Sequence, residues 1–381
     1  MERFALSRMK EWKENENRKP LIIRGARQVG KTWIMKTFGQ QYFEKTAYVN
    51  FDNNARMKQV FEGDLDIERL VLSISAETGV SIEAENTLII FDEVQEVPKA
   101  LTSLKYFYEN APQYAIVAAG SLLGVALHQG TSFPVGKVDF LDLYPLNFRE
   151  FLCAMGEKQF VSMLDSCDTQ MVTVFKTKYI ERLREYYFVG GMPEVVKDFS
   201  EKKDYNRVRA IQKNLINYYQ QDFSKHAEIK LVPRLNLVWN SIPMQLAKEN
   251  KKYIYGQVRE GSRAKDFELA IQWLLDCGLI HKVQRIQKPD LPLKAYIDFD
   301  AFKLFLVDIG LLIAMTDLDA KVIIEGNKIF TEFKGALTEQ YILQQLISDV
   351  GVIPYYYSTQ NSKGEIDFLV QGKTSVIPIE V

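Results

Sequence analysis

Cysteine and histidine are scarce in this chain. Its 381 residues contain three cysteines and three histidines, and no two cysteines form a C-x-x-C pair. A disulfide framework or a zinc site needs more of these side chains at closer spacing. The scarcity excludes both kinds of site and leads us to expect a protein of the reducing cytoplasm.

Long apolar runs and an excess of charge are also missing. No apolar run approaches the roughly 18 to 20 residues that span a bilayer. The first 16 residues are heavily charged and lack the apolar segment of an export signal. With 48 basic and 49 acidic side chains, the chain has too little net charge to bind a membrane or nucleic acid by charge alone. We expect no membrane association.

The composition indicates a folded protein with more than one core. Hydrophobic residues make up 47% of the chain and charged residues 25%, a balance typical of globular proteins. The length of 381 residues exceeds the roughly 250 to 300 residues over which a single hydrophobic core grows. We therefore expect at least two domains.

The most informative motif lies between residues 21 and 38. A short apolar segment, Leu21–Ile23, precedes the sequence G-A-R-Q-V-G-K-T at Gly25–Thr32, and residues 33–38 favour a helix. A strand, a G-x-x-x-x-G-K-[ST] loop and a helix in this order are typical of a phosphate-binding loop. The predicted nucleotide-binding residues are Gly25, Ala26, Arg27, Gln28, Val29, Gly30, Lys31, Thr32 and Trp33.

Two side chains of this loop have predicted chemical roles. Lys31 would reach the β- and γ-phosphates of ATP, and the Thr32 hydroxyl would ligate Mg²⁺. ATP and Mg²⁺ are therefore the expected cofactors. The alternative, a glycine loop that arose by chance, fits the flanking strand and helix less well. Arg27 and Gln28 would contact either the nucleotide or a neighbouring subunit, and the sequence leaves this choice open.

A second motif supplies two carboxylates. The apolar run Leu88–Phe91 has the composition of a strand buried on both faces, and it ends in Asp92 and Glu93. Asp92 would hold the magnesium ion, directly or through water, and Glu93 would orient and polarise the attacking water as a catalytic residue. The pair predicts hydrolysis as well as binding, although by itself it would equally fit a solvated turn.

Two more apolar segments, Thr46–Phe51 and Tyr114–Ala119, predict further strands of the same sheet. The second is followed by Gly120 and Ser121. Open α/β sheets bind ligands at the carboxyl ends of their strands. Ser121 is therefore a candidate catalytic residue that bonds the γ-phosphate or the lytic water. Capping of a helix that begins at residue 122 is an equally good interpretation.

These motifs resemble those of the predicted AAA+ ATPases of bacteria and archaea that join a P-loop domain to a C-terminal domain of unknown function. The resemblance covers essentially the whole chain and is carried by Leu21–Thr32, Phe91–Gln95, Ala119–Leu123, Tyr144–Leu152 and Gly190–Glu194. It implies a five-stranded sheet with the phosphate-loop strand central, and Ser121 in the sensor-one position. The chain has Gly136 and Lys137 where the resemblance implies a glycine and an arginine, so the charge remains without the bidentate guanidinium.

An arginine that completes the nucleotide site cannot be assigned from spacing. Such an arginine accelerates nucleotide hydrolysis by about 10³ to 10⁵ and comes from the same chain or from a neighbour. Arg149 and Arg182 are candidates, although an arginine in a predicted helix is more often solvated or ion-paired. We expect slow basal hydrolysis until a homo-oligomer or another partner completes the site.

The middle of the chain predicts helices and a winged-helix-like region. Residues 147–230 have helical apolar spacing, interrupted by a turn or a hinge at Gly190–Pro193. The next segment predicts helix 235–249, strand 253–255, helix 264–277, and a hairpin of strands 279–283 and 294–297. Its candidate DNA contacts are Lys251, Lys252, Arg259, Arg263 and Lys265. A winged helix can bind duplex DNA or pack against protein, and the sequence leaves both roles open.

The last segment predicts one helix and three strands, at residues 335–348, 355–358, 366–370 and 375–381. Acidic residues occur there at Glu339, Asp367 and Glu380. This pattern resembles a restriction-endonuclease-like core, in which strand carboxylates bind Mg²⁺ and a following lysine helps to activate water. The lysine is missing because the sequence stops at Val381, and we expect a truncated chain. Solvated or hydrogen-bonding structural roles for the three carboxylates are the alternative.

The sequence as a whole predicts an α/β P-loop NTPase domain with an AAA-type parallel sheet. A helical and winged-helix region and a C-terminal α+β nuclease-like region follow it. The four expected regions are residues 1–150, 151–230, 231–300 and 301–381. The leading hypothesis is a Mg-ATP hydrolase that acts as a switch or motor on a macromolecular partner. The alternatives are an ATP-gated protein that binds and processes duplex DNA, and a signalling or scaffold ATPase whose inert C-terminal domain docks a protein.

Overall fold

A computed structural model of the chain describes residues 1–120, 133–248, 251–324, 331–359 and 364–381. The chain divides into two compact units, Arg3–Tyr144 and Pro145–Val381, the second of which includes Met1–Glu2. No helix within the described ranges combines the length and apolar character needed to cross a membrane.

The unit Arg3–Tyr144 is built on a five-stranded parallel sheet. Its strands are β1 (Leu21–Arg24), β2 (Lys45–Asn50), β3 (Thr87–Asp92), β4 (Ala115–Ala119) and β5 (Asp139–Asp142). They lie in the order β2-β3-β4-β1-β5, and each neighbouring pair is parallel. The phosphate-loop strand β1 is therefore an interior strand between β4 and β5. The middle position, which the resemblance implied for β1, belongs to β4.

Helices connect β1 to β2, β2 to β3 and β3 to β4, as parallel pairing requires, and one helix precedes β1. They are α1 (Ala5–Glu14), α2 (Lys31–Tyr42), α3 (Ala55–Glu62), α4 (Ile67–Thr78) and α5 (Pro98–Asn110), with a 3₁₀ turn at Val94–Glu96. All six residues of β3 are buried, because the strand lies inside the sheet between β2 and β4. The rings of Phe51, Phe61 and Phe91 contact one another edge to face beside it. This core fixes the position of the end of β3, where Asp92 lies.

The unit Pro145–Val381 begins with a long series of helices. They are α6 (Phe148–Ala154), α7 (Lys158–Asp165), α8 (Thr169–Val174), α9 (Lys176–Val189), α10 (Pro193–Lys202), α11 (Tyr205–His226), α12 (Val232–Leu246), α13 (Tyr255–Val258) and α14 (Ala264–Asp276). The first of them starts at a capping box, in which Asn147 Oδ1 accepts from the Glu150 N–H and the Glu150 carboxylate accepts from the Asn147 N–H.

A second five-stranded sheet follows, and it is mixed. Its strands are β6 (Ile280–Ile286), β7 (Ile297–Leu306), β8 (Tyr355–Ser358), β9 (Glu365–Gln371) and β10 (Val376–Ile379), in the order β10-β9-β8-β6-β7. β6 and β8 are parallel, and the other neighbours are antiparallel. The intervening helices are α15 (Ile309–Met315), α16 (Ala320–Ile324) and α17 (Thr331–Gln345), which continues as a π-helical turn, Leu346–Val350.

Two local predictions in the winged-helix-like region were wrong. The expected strand at 253–255 is absent: Tyr253 makes a backbone bond to Phe302, and α13 begins at Tyr255. The expected strand at 294–297 is a 3₁₀ turn, Leu293–Tyr296, and the real partner of β6 is β7. Asp298 and Asp300 interrupt the apolar pattern of β7, so its length was not visible in the sequence.

The region boundaries differ from those expected. β7 runs through the expected boundary at residue 300, and the hairpin of β6 and β7 belongs to the same sheet as the three C-terminal strands. The compact unit that begins at Pro145 includes all of these elements. The hairpin therefore cannot be separated from the C-terminal strands without exposing the backbone edges that join them.

The Gly190–Pro193 break is a tightly packed turn. A Cβ on Gly191 would lie 2.1 Å from the Leu146 carbonyl oxygen, so no side chain fits there. The Gly191 N–H donates to Asp308 Oδ2 at 2.6 Å, and the other carboxylate oxygen accepts from the Leu311 N–H at 3.1 Å and caps α15. Burial raises the pKa of Asp308 to about 6, although its N–H donors oppose this shift.

Candidate nucleotide-binding site

The predicted phosphate loop joins β1 to α2, and three of its residues have left-handed backbone conformations. Gly25, Gln28 and Gly30 have φ values of 149°, 66° and 97°, a conformation that favours glycine. A Cβ on Gly25 would lie 2.1 Å from the Leu143 carbonyl oxygen. Gly30 precedes α2 directly, so the first amides of the helix adjoin the loop. Amides at a helix N-terminus attract phosphate.

Lys31 is buried at the base of this loop. Its Nζ donates to the carbonyl oxygens of Gly25 and Ala26, each at 2.8 Å. Burial lowers the pKa of Lys31 to about 8, opposed by the nearby carboxylates of Glu93 and Asp92 and assisted by Arg27. Among the described residues, the hydrogen-bond partners of this cation are neutral carbonyls, and it is poorly solvated.

Thr32 and Asp92 meet although they are distant in the sequence. Thr32 Oγ1 donates to Asp92 Oδ2 at 2.7 Å, and the Glu93 N–H donates to Asp92 Oδ1 at 3.1 Å. Asp92 is 3% exposed. Hydroxyl and carboxylate oxygens are the hard ligands that Mg²⁺ prefers, so the two predicted metal ligands fit this ion.

Glu93 has a special backbone conformation beside Asp92. Its φ of 53° lies in the left-handed region, which turns the chain sharply at the end of β3. The Gln95 Nε2 donates to Glu93 Oε2 at 2.7 Å. The charge of Glu93 raises the pKa of Lys31 against the effect of burial. The structure thus places the predicted catalytic carboxylate near the phosphate-loop lysine.

The other predicted nucleotide contacts differ in exposure. Ala26 and Val29 are buried. Trp33 is 44% exposed at the start of α2, and Arg27 is half-buried. Ser121, the other predicted catalytic residue, lies outside the described residues, as do the residues of the helix that it would cap.

Two residues of this site were missed by the sequence reasoning. The Arg3 guanidinium is 5% exposed and donates to the carbonyl oxygens of Val29 at 3.0 Å and Tyr144 at 2.6 Å. The Tyr48 hydroxyl donates to Asp92 Oδ2 at 2.9 Å. Neither residue belongs to a motif with fixed spacing, so the sequence held no signal for its role.

The arginine-finger candidates are engaged within the unit Pro145–Val381. Arg149 pairs with Asp349 at 3.0 Å and with Asp165. Arg182 pairs with Glu157 and Glu185, each at 2.7 Å. Lys137, which stands where an arginine was expected, pairs with Glu109 at 3.0 Å in the other unit. These contacts agree with the ion-paired interpretation of Arg149 and Arg182.

The nuclease-like carboxylates do not form a metal site. Glu339 is 3% exposed and pairs with Lys251 and Lys303, the latter at 3.3 Å. Asp367 is half-buried and accepts from the Val381 N–H, while Glu380 is exposed. Across the described part of the chain, no group of three histidine, cysteine or acidic residues could hold a metal ion. The ammonium groups of Lys251 and Lys303 neutralise the buried Glu339 carboxylate, where the nuclease-like pattern would place a metal cation.

The candidate DNA contacts separate into two groups. Lys251 is paired with buried Glu339, which makes it a poor candidate for phosphate contact. Lys252 is half-buried, whereas Arg259, Arg263 and Lys265 are exposed between α13 and the first turn of α14.

Family models match three parts of the chain. Residues 17–152 match the model described as AAA domain. This segment contains the phosphate loop, β3 with its two acidic residues and the five-stranded sheet. Residues 17–152 form an AAA domain. Residues 180–322 match Domain of unknown function (DUF8612), and residues 334–381 match Domain of unknown function (DUF4143). The chain therefore joins an AAA domain to a C-terminal domain of unknown function, as the resemblance implied.

One solved structure supports this fold. The Walker-type ATPase Paby2304 of Pyrococcus abyssi has a TM-score of 0.51 and 15% identity, covering 83% of this chain and 95% of that one. The Orc1 protein of Aeropyrum pernix in complex with DNA has a TM-score of 0.28 and 13% identity, covering 82% and 91%. No functionally curated protein matches the chain. The first similarity establishes a P-loop ATPase fold and nothing finer.

Proposed function

We propose that the chain binds Mg-ATP in its AAA domain, hydrolyses it, and acts as a switch or motor on a macromolecular partner. The observation that carries the proposal is the 2.7 Å hydrogen bond from Thr32 Oγ1 to Asp92 Oδ2. It joins the phosphate loop to the end of β3 across 60 positions of sequence. One triphosphate could therefore contact both segments.

Binding would rest on Lys31 and the backbone of the loop. Lys31 Nζ would exchange the carbonyl oxygens of Gly25 and Ala26 for phosphate oxygens, and bonds between charged groups are the stronger ones. The amides at the start of α2 and the left-handed turns at Gly25 and Gly30 would complete the phosphate cradle.

Thr32 and Asp92 would hold the magnesium ion. When bound there, Mg²⁺ neutralises charge on the phosphate oxygens. Glu93 follows Asp92 directly, and the Gln95 amide holds one of its carboxylate oxygens. A carboxylate fixed in this way would orient the attacking water and accept its proton.

Two substitutions separate binding from hydrolysis. Lys31→Ala should weaken ATP binding by about tenfold to a hundredfold, the usual value of a lost bond to a charged group. Glu93→Gln should bind ATP normally while its turnover falls by about 10² or more, because the general base is lost. Fluorescent nucleotide titration and phosphate release measure the two effects.

Matched controls are available in the same unit. Glu96→Gln removes an exposed carboxylate three residues after Glu93, and Lys58→Ala removes an exposed lysine on α3. Both controls should behave like the wild type. Turnover that survives both Lys31→Ala and Glu93→Gln would refute the proposed site.

The alternatives differ in their support. Nuclease chemistry has little support, because Lys251 and Lys303 form ion pairs with Glu339. Duplex DNA as the partner rests on exposed Arg259, Arg263 and Lys265 alone. Docking of a protein partner by the C-terminal domain stays a prediction, as does assembly into a homo-oligomer.

A further inference from the structure

Two hydroxyl groups bond the same oxygen of Asp92. Thr32 Oγ1 donates to Asp92 Oδ2 at 2.7 Å, and the Tyr48 hydroxyl donates to that oxygen at 2.9 Å. Thr32 is itself an expected ligand of the cation, so its position will change with the cation. Tyr48 comes from β2 and is outside the predicted ligand set. Tyr48 can therefore hold Asp92 Oδ2 independently of the metal, while the Glu93 N–H holds the other oxygen, Oδ1.

The position of Tyr48 is fixed by the sheet and by α2. β2 pairs with β3 in parallel, with Tyr48 opposite Ile90, so the phenol reaches along the strand toward the end of β3. Lys36 Nζ lies 3.8 Å from the centre of the Tyr48 ring. Lys36 is one helical turn after Thr32 and thus on the same face of α2. A cation over the ring face restrains the phenol.

The chemistry of the phenol suits this role. A phenol hydroxyl is protonated at neutral pH, whereas an ionised carboxylate can only accept. The Tyr48 hydroxyl therefore donates to the Asp92 carboxylate. Groups that hydrogen-bond a metal ligand fix its orientation, and their loss typically lowers metal affinity or activity about 10-fold to 100-fold.

We propose that Tyr48 is a positioning residue that orients the Asp92 carboxylate for the divalent cation of the nucleotide site. The inference rests on the proposed Mg-ATP function. Tyr48 touches neither the phosphates nor the reacting water in this account. Its effect is on the affinity for the metal and, through it, on hydrolysis.

The test is Tyr48→Phe in the full chain. This substitution keeps the ring, its packing and the contact with Lys36, and removes only the donor. Manganese affinity of the ADP complex, measured by the loss of the free Mn²⁺ signal in electron paramagnetic resonance, should fall about tenfold or more. ADP binding in the presence of EDTA should be unchanged. ATP turnover should need more Mg²⁺ for half-saturation and recover toward the wild-type rate at high Mg²⁺.

Two further variants make the result specific. Tyr42→Phe removes a half-buried phenol hydroxyl at the end of α2 and should leave manganese affinity unchanged. Lys36→Met leaves the Tyr48 hydroxyl in place and should lower manganese affinity by less than Tyr48→Phe. If Tyr48→Phe proves less stable than the wild type, the manganese affinity of Lys36→Met still tests the role of Tyr48.

The outcomes distinguish this inference from the proposed function. Unchanged manganese affinity and unchanged Mg²⁺ dependence in a folded Tyr48→Phe protein would overturn the role of Tyr48 and leave the ATPase proposal intact. A wild-type chain that binds Mn-ADP but does not hydrolyse ATP would refute hydrolysis alone. A wild-type chain that binds no Mn-ADP would overturn both.

Discussion

At the scale of single residues, Lys31 is the most telling side chain of the nucleotide site. It is buried, it bonds two backbone carbonyls of its own loop, and burial lowers its pKa to about 8. A lysine in this state is poised to gain from phosphate, because the phosphate oxygens would replace neutral acceptors with anionic ones. Its protonation should therefore be coupled to nucleotide binding.

This coupling predicts a pH dependence of ATP binding. The free protein loses the Lys31 proton as pH rises through about 8, whereas bound phosphate would retain it, so binding takes up a proton. ATP affinity should fall about tenfold between roughly pH 7 and pH 9. Calorimetry in buffers of different ionisation enthalpy would detect the proton uptake. Lys31→Arg, which stays charged, should show a flatter profile, and equal profiles for the two proteins would contradict this account.

The residues of the site differ in how far the sequence could reveal them. Gly25 to Thr32 follow a spacing that phosphate chemistry imposes, and Asp92 and Glu93 follow an apolar run that only a buried strand explains. Arg3 and Tyr48 carry no such spacing. Arg3 lies just before α1 and Tyr48 lies on β2. The tertiary fold brings both residues to the site.

At the scale of elements, strands with a clear apolar pattern were predictable, and β5 and β7 were not. β1, β3 and β4 are mainly apolar and buried, since they lie inside the sheet. β5 is an edge strand with an aspartate at each end and an exposed Phe140, so its apolar signal is short. The first four residues of β7 alternate apolar side chains with Asp298 and Asp300 and are not buried, whereas its last six are buried, which hid its true start.

The turn at Gly190–Pro193 shows how one buried carboxylate joins two elements. Asp308 caps α15 and also accepts from the Gly191 N–H, and its exposure is 0%. Asp308→Ala would leave both N–H groups without their acceptor, and each buried unsatisfied group costs about 1 to 3 kcal/mol. We expect a loss of about 3 kcal/mol in the free energy of unfolding, measured by urea denaturation.

A second capping aspartate provides the control for this prediction. Asp168 caps α8 in the same way but is exposed, so Asp168→Ala should cost only about 1 kcal/mol. Equal losses for Asp308→Ala and Asp168→Ala would show that the buried bond to Gly191 contributes nothing.

At the scale of the whole molecule, the two units differ in how much they indicate about function. The AAA domain has a motif for each step of its proposed chemistry, and its fold agrees with that of a Walker-type ATPase. The unit Pro145–Val381 offers one sheet built from the predicted hairpin and the C-terminal strands, with a buried carboxylate neutralised by lysines. The sequence located β6 and the C-terminal strands but could not show that they pair, because β6 and β8 pair across about 70 residues and leave no local pattern.

The account depends on a triphosphate being held between the phosphate loop and the acidic end of β3. A crystal structure of Glu93→Gln with ATP and Mg²⁺ tests this directly. We expect the phosphates in the loop at Gly25–Thr32, the Lys31 ammonium moved from the carbonyls of Gly25 and Ala26 to the phosphate oxygens, and the cation beside Thr32 and Asp92. A nucleotide bound elsewhere, with Lys31 still bonded to both carbonyls, would contradict the account.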